Sequence, residues 1–301
     1  MTYKSEVQRK NKDKLQKMFD AENIPLFIQK YFIYLDSSRS AIQYWSDIRK
    51  LLLWFMENKV MGKKKLSDIN IDDLRHITGA DIIKYLDGRI EEGMKLSTVV
   101  TKKNVFSSFW TYLEETEGIQ NIMTKKLNAR YRNNTINDNL EKKLPSKESI
   151  KIMMEKVDSI KNPTLRVRNM AIIKLFSGSG IRELELAGLD LEDIICDSDG
   201  IYISILGKGY QYENQKRIIK ITKSASEALC EWISIRRDIN TDVEAVFITR
   251  DNKRVTEDNI KYMFHQYSGG EITPHMLRHY FATEFYRKSK HDVAAVQHML
   301  G

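Results

Sequence analysis

Cysteine is nearly missing from this sequence of 301 residues, and the two present, Cys196 and Cys230, cannot build a disulfide framework or a four-ligand zinc site. No apolar run approaches the roughly 18 residues that a membrane-crossing helix needs. The opening MTYKSEVQRKNKDK lacks the hydrophobic stretch of a secretory signal. The expectation is therefore a cytoplasmic protein with no membrane partner. Glycine occurs without the spacing of a phosphate-binding loop, since Gly178-Ser179-Gly180 fits neither a Walker motif nor a dinucleotide fingerprint. The histidines at 76, 265, 275, 279, 291 and 298 are scattered, with no H-E-x-x-H and no EF-hand loop nearby. Ser177 and Ser179 lie outside any G-x-S-x-G elbow. No metal and no cofactor is expected, and no repeat of solenoid length is visible.

What remains is a chain with 42% hydrophobic and 30% charged residues, able to bury sizeable cores and long enough for two domains. Its net charge is +8, unevenly spread: residues 1 to 130 carry 23 Lys and Arg against 17 Asp and Glu, and the rest 26 against 24. A basic front half suits a polyanionic partner.

Periodicity predicts a mostly α-helical protein with a small antiparallel β-sheet in its second domain. After a polar lead-in over 1–20, a helical domain is expected over 21–120. One helix opens at Asn23-Ile24-Pro25 and runs to about Asp36; the next, from about Ser38 to Asn58, lines up Ile42, Trp45, Ile48, Leu52 and Phe55. Beyond a lysine-rich turn and a short element over 71–77, Thr78 caps a helix with Ile82, Ile83, Leu86 and Ile90 inward. Ser97 caps another, with Val99, Phe106, Phe109, Trp110 and Leu113 as its core. Lys102 and Lys103 fall off that stripe and are candidates for DNA contact. Residues 121–143, turning rich in Asn and charge, are expected to be a linker, with a boundary near 138 and a second domain over 144–301. There, helices over 146–157 and 164–176 precede a glycine turn, and strands are expected at 193–196, 200–206 and 217–221. Helices return over 224–237, 256–266, 273–283 and 292–300.

Three stretches carry candidate chemistry. In Thr273-Pro-His-Met-Leu-Arg-His-Tyr-Phe-Ala-Thr283, Thr273 is an N-cap and Pro274 suits the first helical position. His275 and Arg278 then share a face, while Leu277 and Phe281 point to a core. Cations at a helix N-terminus cost stability unless an anion sits there, most simply a phosphate. Arg182 follows the glycine turn, with Glu185 three residues on to hold it, and Lys208 stands between two glycines at a hairpin tip. Two arginines on one phosphate would clamp its oxygens and stabilise a pentavalent transition state without a metal. Lys208 could protonate a leaving oxygen, and His275 could assist by hydrogen bonding or proton transfer. A nucleophile is missing from this set.

Gly180-Ile-Arg-Glu-Leu-Glu-Leu186, Gly207-Lys-Gly209, the stretch from His275 to Thr283 and the closing Val296-Gln-His-Met-Leu-Gly301 together resemble the tyrosine recombinases, or phage integrase family. The likeness covers the whole chain. It implies a helical core-binding domain joined by a linker to a mixed catalytic domain, closing as a clamp on a double-stranded DNA recombination site, with a homotetramer on two sites. It implies strand exchange through a 3′-phosphotyrosyl bond with no cofactor, with Arg182, Lys208, His275 and Arg278 catalytic and Glu185 supporting. The family carries a further histidine and then a tyrosine nucleophile beyond the point matching Gly301. The expectation is thus a C-terminally truncated recombinase with no nucleophile in these residues, since Tyr280 and Tyr286 sit in the wrong helix. Leu184 stands where the family has serine. The rival expectation is a non-cleaving clamp that regulates or competes at recombination sites.

Overall fold

The computed structural model describes residues 2–35, 37–131, 144–207 and 216–301. Two compact units emerge, one of residues 6–137 and one of residues 138–301 joined by residues 1–5. No helix is long and apolar enough among the described residues to cross a membrane.

The first unit is all helical. The expected lead-in is a 20-residue helix, α1 (Tyr3–Glu22). Its surface is rich in Lys, Glu and Gln, good helix formers, yet Leu15 and Phe19, four residues apart, reach the core. The polar composition had hidden that short stripe. α2 (Leu26–Tyr31) gives way to a 3₁₀ turn over Phe32–Tyr34, so the expected helix to Asp36 is shorter. α3 (Ser38–Glu57) is capped by Ser37 and buries Trp45, Ile48, Leu52 and Phe55. α4 (Ile71–Arg75) and α5 (Gly79–Glu91) each begin with a reciprocal capping box, Asn70 with Asp73 and Thr78 with Asp81. Ile82 and Leu86 are buried as expected, whereas Ile90, in the last turn, is exposed. α6 (Leu96–Glu117) starts after Lys95, so Ser97 lies inside its first turn and does not cap it. The core continues past the expected boundary. Leu127 on α7 (Lys125–Arg130) and Tyr131 beside it are buried, and the Tyr131 hydroxyl donates to Asp87 at 2.7 Å. The start of the presumed linker is therefore packed; 132–143 lie outside the described residues.

The second unit opens with α8 (Lys147–Asp158), capped by Ser146, and α9 (Pro163–Ser179), capped by Asn162 with Pro163 at its first position. α9 runs through Gly178 and stops at Gly180, which takes the left-handed conformation at φ +64°. The two glycines do different work. A Cβ on Gly178 would lie 2.3 Å from Thr222 Oγ1 and 2.7 Å from Ala225 Cβ, so that glycine lets α11 (Lys223–Arg237) pack closely on α9. Between them come the single turn α10 (Glu183–Ala187) and a three-stranded antiparallel sheet in the order β1 (Ile194–Asp197), β2 (Gly200–Leu206), β3 (Lys216–Lys220). β2 buries Ile201, Ile203 and Ile205 in strict alternation, with Ile203 opposite Ile194 and Ile219. α12 (Glu257–Ser268), α13 (Pro274–Lys288) and α14 (Val293–Leu300) complete the unit.

Candidate active site

α13 enters as its sequence dictates. Thr273 Oγ1 accepts from the Met276 N–H at 3.2 Å, Pro274 occupies the first turn, and Leu277 and Phe281 are buried. That inward anchor leaves His275 exposed and sets Arg278 against the end of α9. Arg278 donates through Nη1 to the Gly180 carbonyl and through Nη2 to the Leu300 carbonyl at 3.0 Å. A Cβ on Gly180 would come within 2.5 Å of Phe281, so the αL stop and the absent side chain both serve this approach.

Gly180 then releases the chain so that Arg182 becomes the N-cap of α10. Glu185 closes the turn upon it: its Oε2 accepts from the Arg182 backbone N–H at 2.9 Å and its Oε1 from Nη1 at 2.8 Å. Arg182 Nη2 donates to the Gly301 carbonyl at 2.6 Å. The carboxylate is also gripped from the sheet, because Arg217 on β3 meets it fork to fork, Nη1 to Oε1 and Nη2 to Oε2, each at 3.1 Å. Glu185 is 4% exposed at its side chain and Arg217 14%. Burial pushes the Glu185 carboxyl up, but the hydrogen bonds and charge of Arg217, then those of Arg182, outweigh it and hold the group below its ordinary range.

Three guanidinium groups thus gather about one carboxylate. Burial, then the charges of Arg182 and Arg217, hold Arg278 down to about 10, with Glu185 pulling the other way. It remains a cation at neutral pH, hydrogen-bonded to neutral carbonyls. Such a site can bind an anion through planar, paired donors. Lys208 lies outside the described residues; at the preceding Gly207 the carbonyl accepts from Lys4 Nζ at 2.8 Å.

His275 shares α13 with Arg278, and its Nε2 stands 2.8 Å from that of His279. Sequence reasoning missed two members of this site. Arg217 carries no motif around it, and no signal in the sequence shows that β3 passes beside the α10 turn that holds Glu185. His279 is visible in hindsight as the i+4 neighbour of His275.

Lys102 and Lys103 do not form the solvated face expected of DNA-contacting lysines. α6 leaves a face of Ser97, Thr101, Asn104, Thr111 and Glu115 to solvent, but both lysines are turned from it and are 7% exposed. Lys102 pairs with Asp47 on α3, and Lys103 Nζ donates to the Asn128 carbonyl at 3.3 Å. A stripe counted on one face cannot reveal that neighbouring helices cover the other. Among the described residues no three side chains of metal-ligating type converge.

The model of the phage integrase family matches residues 142–301. A tyrosine recombinase XerC of Psychromonas ingrahamii is 30% identical over 70% of this chain and 68% of its own length. The XerC of Pseudomonas entomophila is 40% identical over 44% of each chain, so the match spans about half the length of some curated relatives. The solved structure of a XerH site-specific recombinase bound to its difH substrate is 21% identical, with a TM-score of 0.63 over 88% of this chain and 73% of that one. That likeness shows the fold.

Proposed function

The chain belongs to the phage integrase family, the tyrosine recombinases, whose activity is site-specific DNA recombination, and on that premise we propose that its second unit binds the scissile phosphate of a double-stranded recombination site between Arg182 and Arg278. The observation that carries this reading is the gathering of Arg182, Arg217 and Arg278 around Glu185, which among the described residues leaves the cluster two positive charges in excess. A phosphodiester in the clamp gains charge on its non-bridging oxygens as it becomes pentavalent, and fixed guanidinium donors stabilise that charge without reorganising. His275 hydrogen-bonds the same phosphate. Lys208 gives a proton to the departing 5′ oxygen as the P–O5′ bond breaks, and a tyrosine oxygen bonds to phosphorus while its own proton passes to His275, forming the 3′-phosphotyrosyl intermediate. The bond energy is kept in that ester, so strand joining needs no cofactor.

We place the nucleophile at none of the tyrosines within residues 1–301. Tyr280 follows Arg278 by two positions, about 200° round the helix, and packs against the core. Tyr286 is eight positions on, roughly 12 Å along the axis, edge-on to His291. A homotetramer on two DNA sites and a cytoplasmic location belong to the same reading.

The test is to select duplexes from a random pool with residues 1–301, place the selected site in a nicked suicide substrate, and run the products on a denaturing gel. Site-selective binding without an adduct is expected from these residues. A covalent adduct is expected once a tyrosine-bearing C-terminal segment from a relative is fused after Gly301. Failure to select any site would overturn the reading, and an adduct mapped to Tyr280 or Tyr286 would overturn the placement of the nucleophile. Binding that never yields an adduct, even in that fusion, would favour a non-cleaving clamp.

A further inference from the structure

His275 and His279 stand one turn apart on α13, both exposed, with their rings crossed at 84° and their Nε2 atoms 2.8 Å apart. At that distance one ring donates and the other accepts, so a single proton lies between the two nitrogens. Two imidazoles at i and i+4, open to solvent, are the parts of a chelate.

We propose that His275 and His279 bind one Cu(II) or Ni(II) ion through both Nε2 atoms, as an acquired and inhibitory site beside the arginine cluster. With metal–nitrogen bonds of about 2.0–2.1 Å, a nitrogen separation of 2.8 Å subtends roughly 86° at the metal. That is close to the right angle between neighbouring ligands in tetragonal Cu(II) and Ni(II) complexes. A tetrahedral Zn(II) would need the nitrogens roughly 3.3 Å apart, so this spacing disfavours it. On binding, the donating ring's proton moves from Nε2 to Nδ1, the other ring keeps its proton on Nδ1, and water fills the remaining positions. Nothing is oxidised or reduced. The guanidinium of Arg278 on the same helix opposes a cation, so the chelate must offset that repulsion, and Cu(II), at the top of the affinity order for nitrogen ligands, does so best.

Binding rests on the geometry of α13 alone; inhibition rests also on the proposed role of His275, which the metal would withdraw from the phosphate. Residues 1–301 without an affinity tag would be titrated with CuCl₂, NiCl₂ and ZnCl₂ by calorimetry, with visible absorption reporting nitrogen ligation of copper. One Cu(II) site is expected, with nickel held more tightly than zinc. His275→Gln and His279→Gln should each lower copper affinity at least about tenfold, a ligand mattering no less than the groups that orient it. His298→Gln should change nothing. The double variant His279→Gln/Tyr280→His keeps the number of histidines but moves one a residue along the helix, and it should also lose the site while thermal melting confirms that it folds. Copper affinity unchanged by either single substitution, retained in the shifted variant, or lost with His298 would overturn the proposal, as would zinc binding more tightly than nickel. Copper binding as expected without inhibition of strand cleavage by the tyrosine-bearing fusion would leave the chelate standing and reject the role of His275.

Discussion

Replacing Arg217 with methionine tests how the arginine cluster is held together. The Glu185 carboxylate, 4% exposed, accepts two bonds from Arg217 at 3.1 Å, one from Arg182 Nη1 at 2.8 Å and one from the Arg182 backbone at 2.9 Å. Methionine keeps much of the stem's volume and removes the fork. Breaking a buried ion pair outright costs about 3–5 kcal/mol, and because Arg182 still holds the carboxylate, about 2 kcal/mol is expected at neutral pH. The pH dependence has a definite sign. Glu185 is depressed, so its contribution to stability is present above its unfolded pKa and is lost as pH falls through the folded one. Arg217 is the first of the lowering causes; without it burial prevails further, and the variant's Glu185 protonates at higher pH than the wild type's. Once both proteins carry a neutral Glu185 the fork is worth little, so the penalty should shrink on acidification through the ordinary carboxylate range. Hydrogen exchange read by mass spectrometry follows α10 and β3 separately from the first unit, over a series of pH values, for Arg217→Met, Glu185→Gln and the pair. A penalty that ignores pH, or single effects that add within about 0.5 kcal/mol, would mean that the fork does not act through Glu185.

Arg278→Lys should leave site binding nearly intact but slow cleavage by the tyrosine-bearing fusion about 10²- to 10³-fold, since one ammonium cannot replace paired donors; near wild-type cleavage would remove Arg278 from the clamp. Lys102→Met should lower stability by about 3 kcal/mol by orphaning buried Asp47, most of it restored by adding Asp47→Asn, as thermal melting would show. The doubly substituted protein should keep the salt dependence of DNA affinity, because a lysine held inside the bundle neutralises no phosphate. Gly180→Ala should cost at least about 2 kcal/mol, combining the αL penalty with a Cβ placed 2.5 Å from Phe281 and 2.9 Å from Leu300; a melting temperature equal to wild type would contradict the packing described.

Most helices of both units and the small antiparallel sheet were legible because their apolar residues repeat at clear periods. α1 was not, because Leu15 and Phe19 are a minimal stripe in a sequence otherwise read as polar. Lys102 and Lys103 misled for the complementary reason: a charged residue states its own preference for water but not whether Asp47 or a carbonyl lies within reach. At the site, Arg182, Glu185, His275 and Arg278 could be read because each lies in a local motif whose spacing sets its geometry. Arg217 could not, since its partner is 32 positions away on α10 and only the packing of that turn beside β3 brings the two together. Gly178 and Gly180 show the same limit within three residues: one serves helix packing and the other a turn, and their letters are identical.

The arrangement also explains why Arg278 is held by carbonyls and why Glu185 takes up only part of Arg182. Among the described residues Glu185 is the carboxylate at the centre, and Arg217 takes one side of it while the Arg182 backbone and Nη1 take the rest. Arg278 is left to the carbonyls of Gly180 and Leu300, neutral acceptors that an anionic oxygen outcompetes, and Arg182 Nη2 to the Gly301 oxygen. The depression of Arg278 to about 10 is the signature of that frustration: burial and two like charges act on it, and one shared carboxylate answers. An anion entering between Arg182 and Arg278 would offset those influences with its own charge, raising the Arg278 pKa again. Arg217 therefore contributes to anion binding without touching the anion, by occupying Glu185 so that the two outer guanidinium groups stay available.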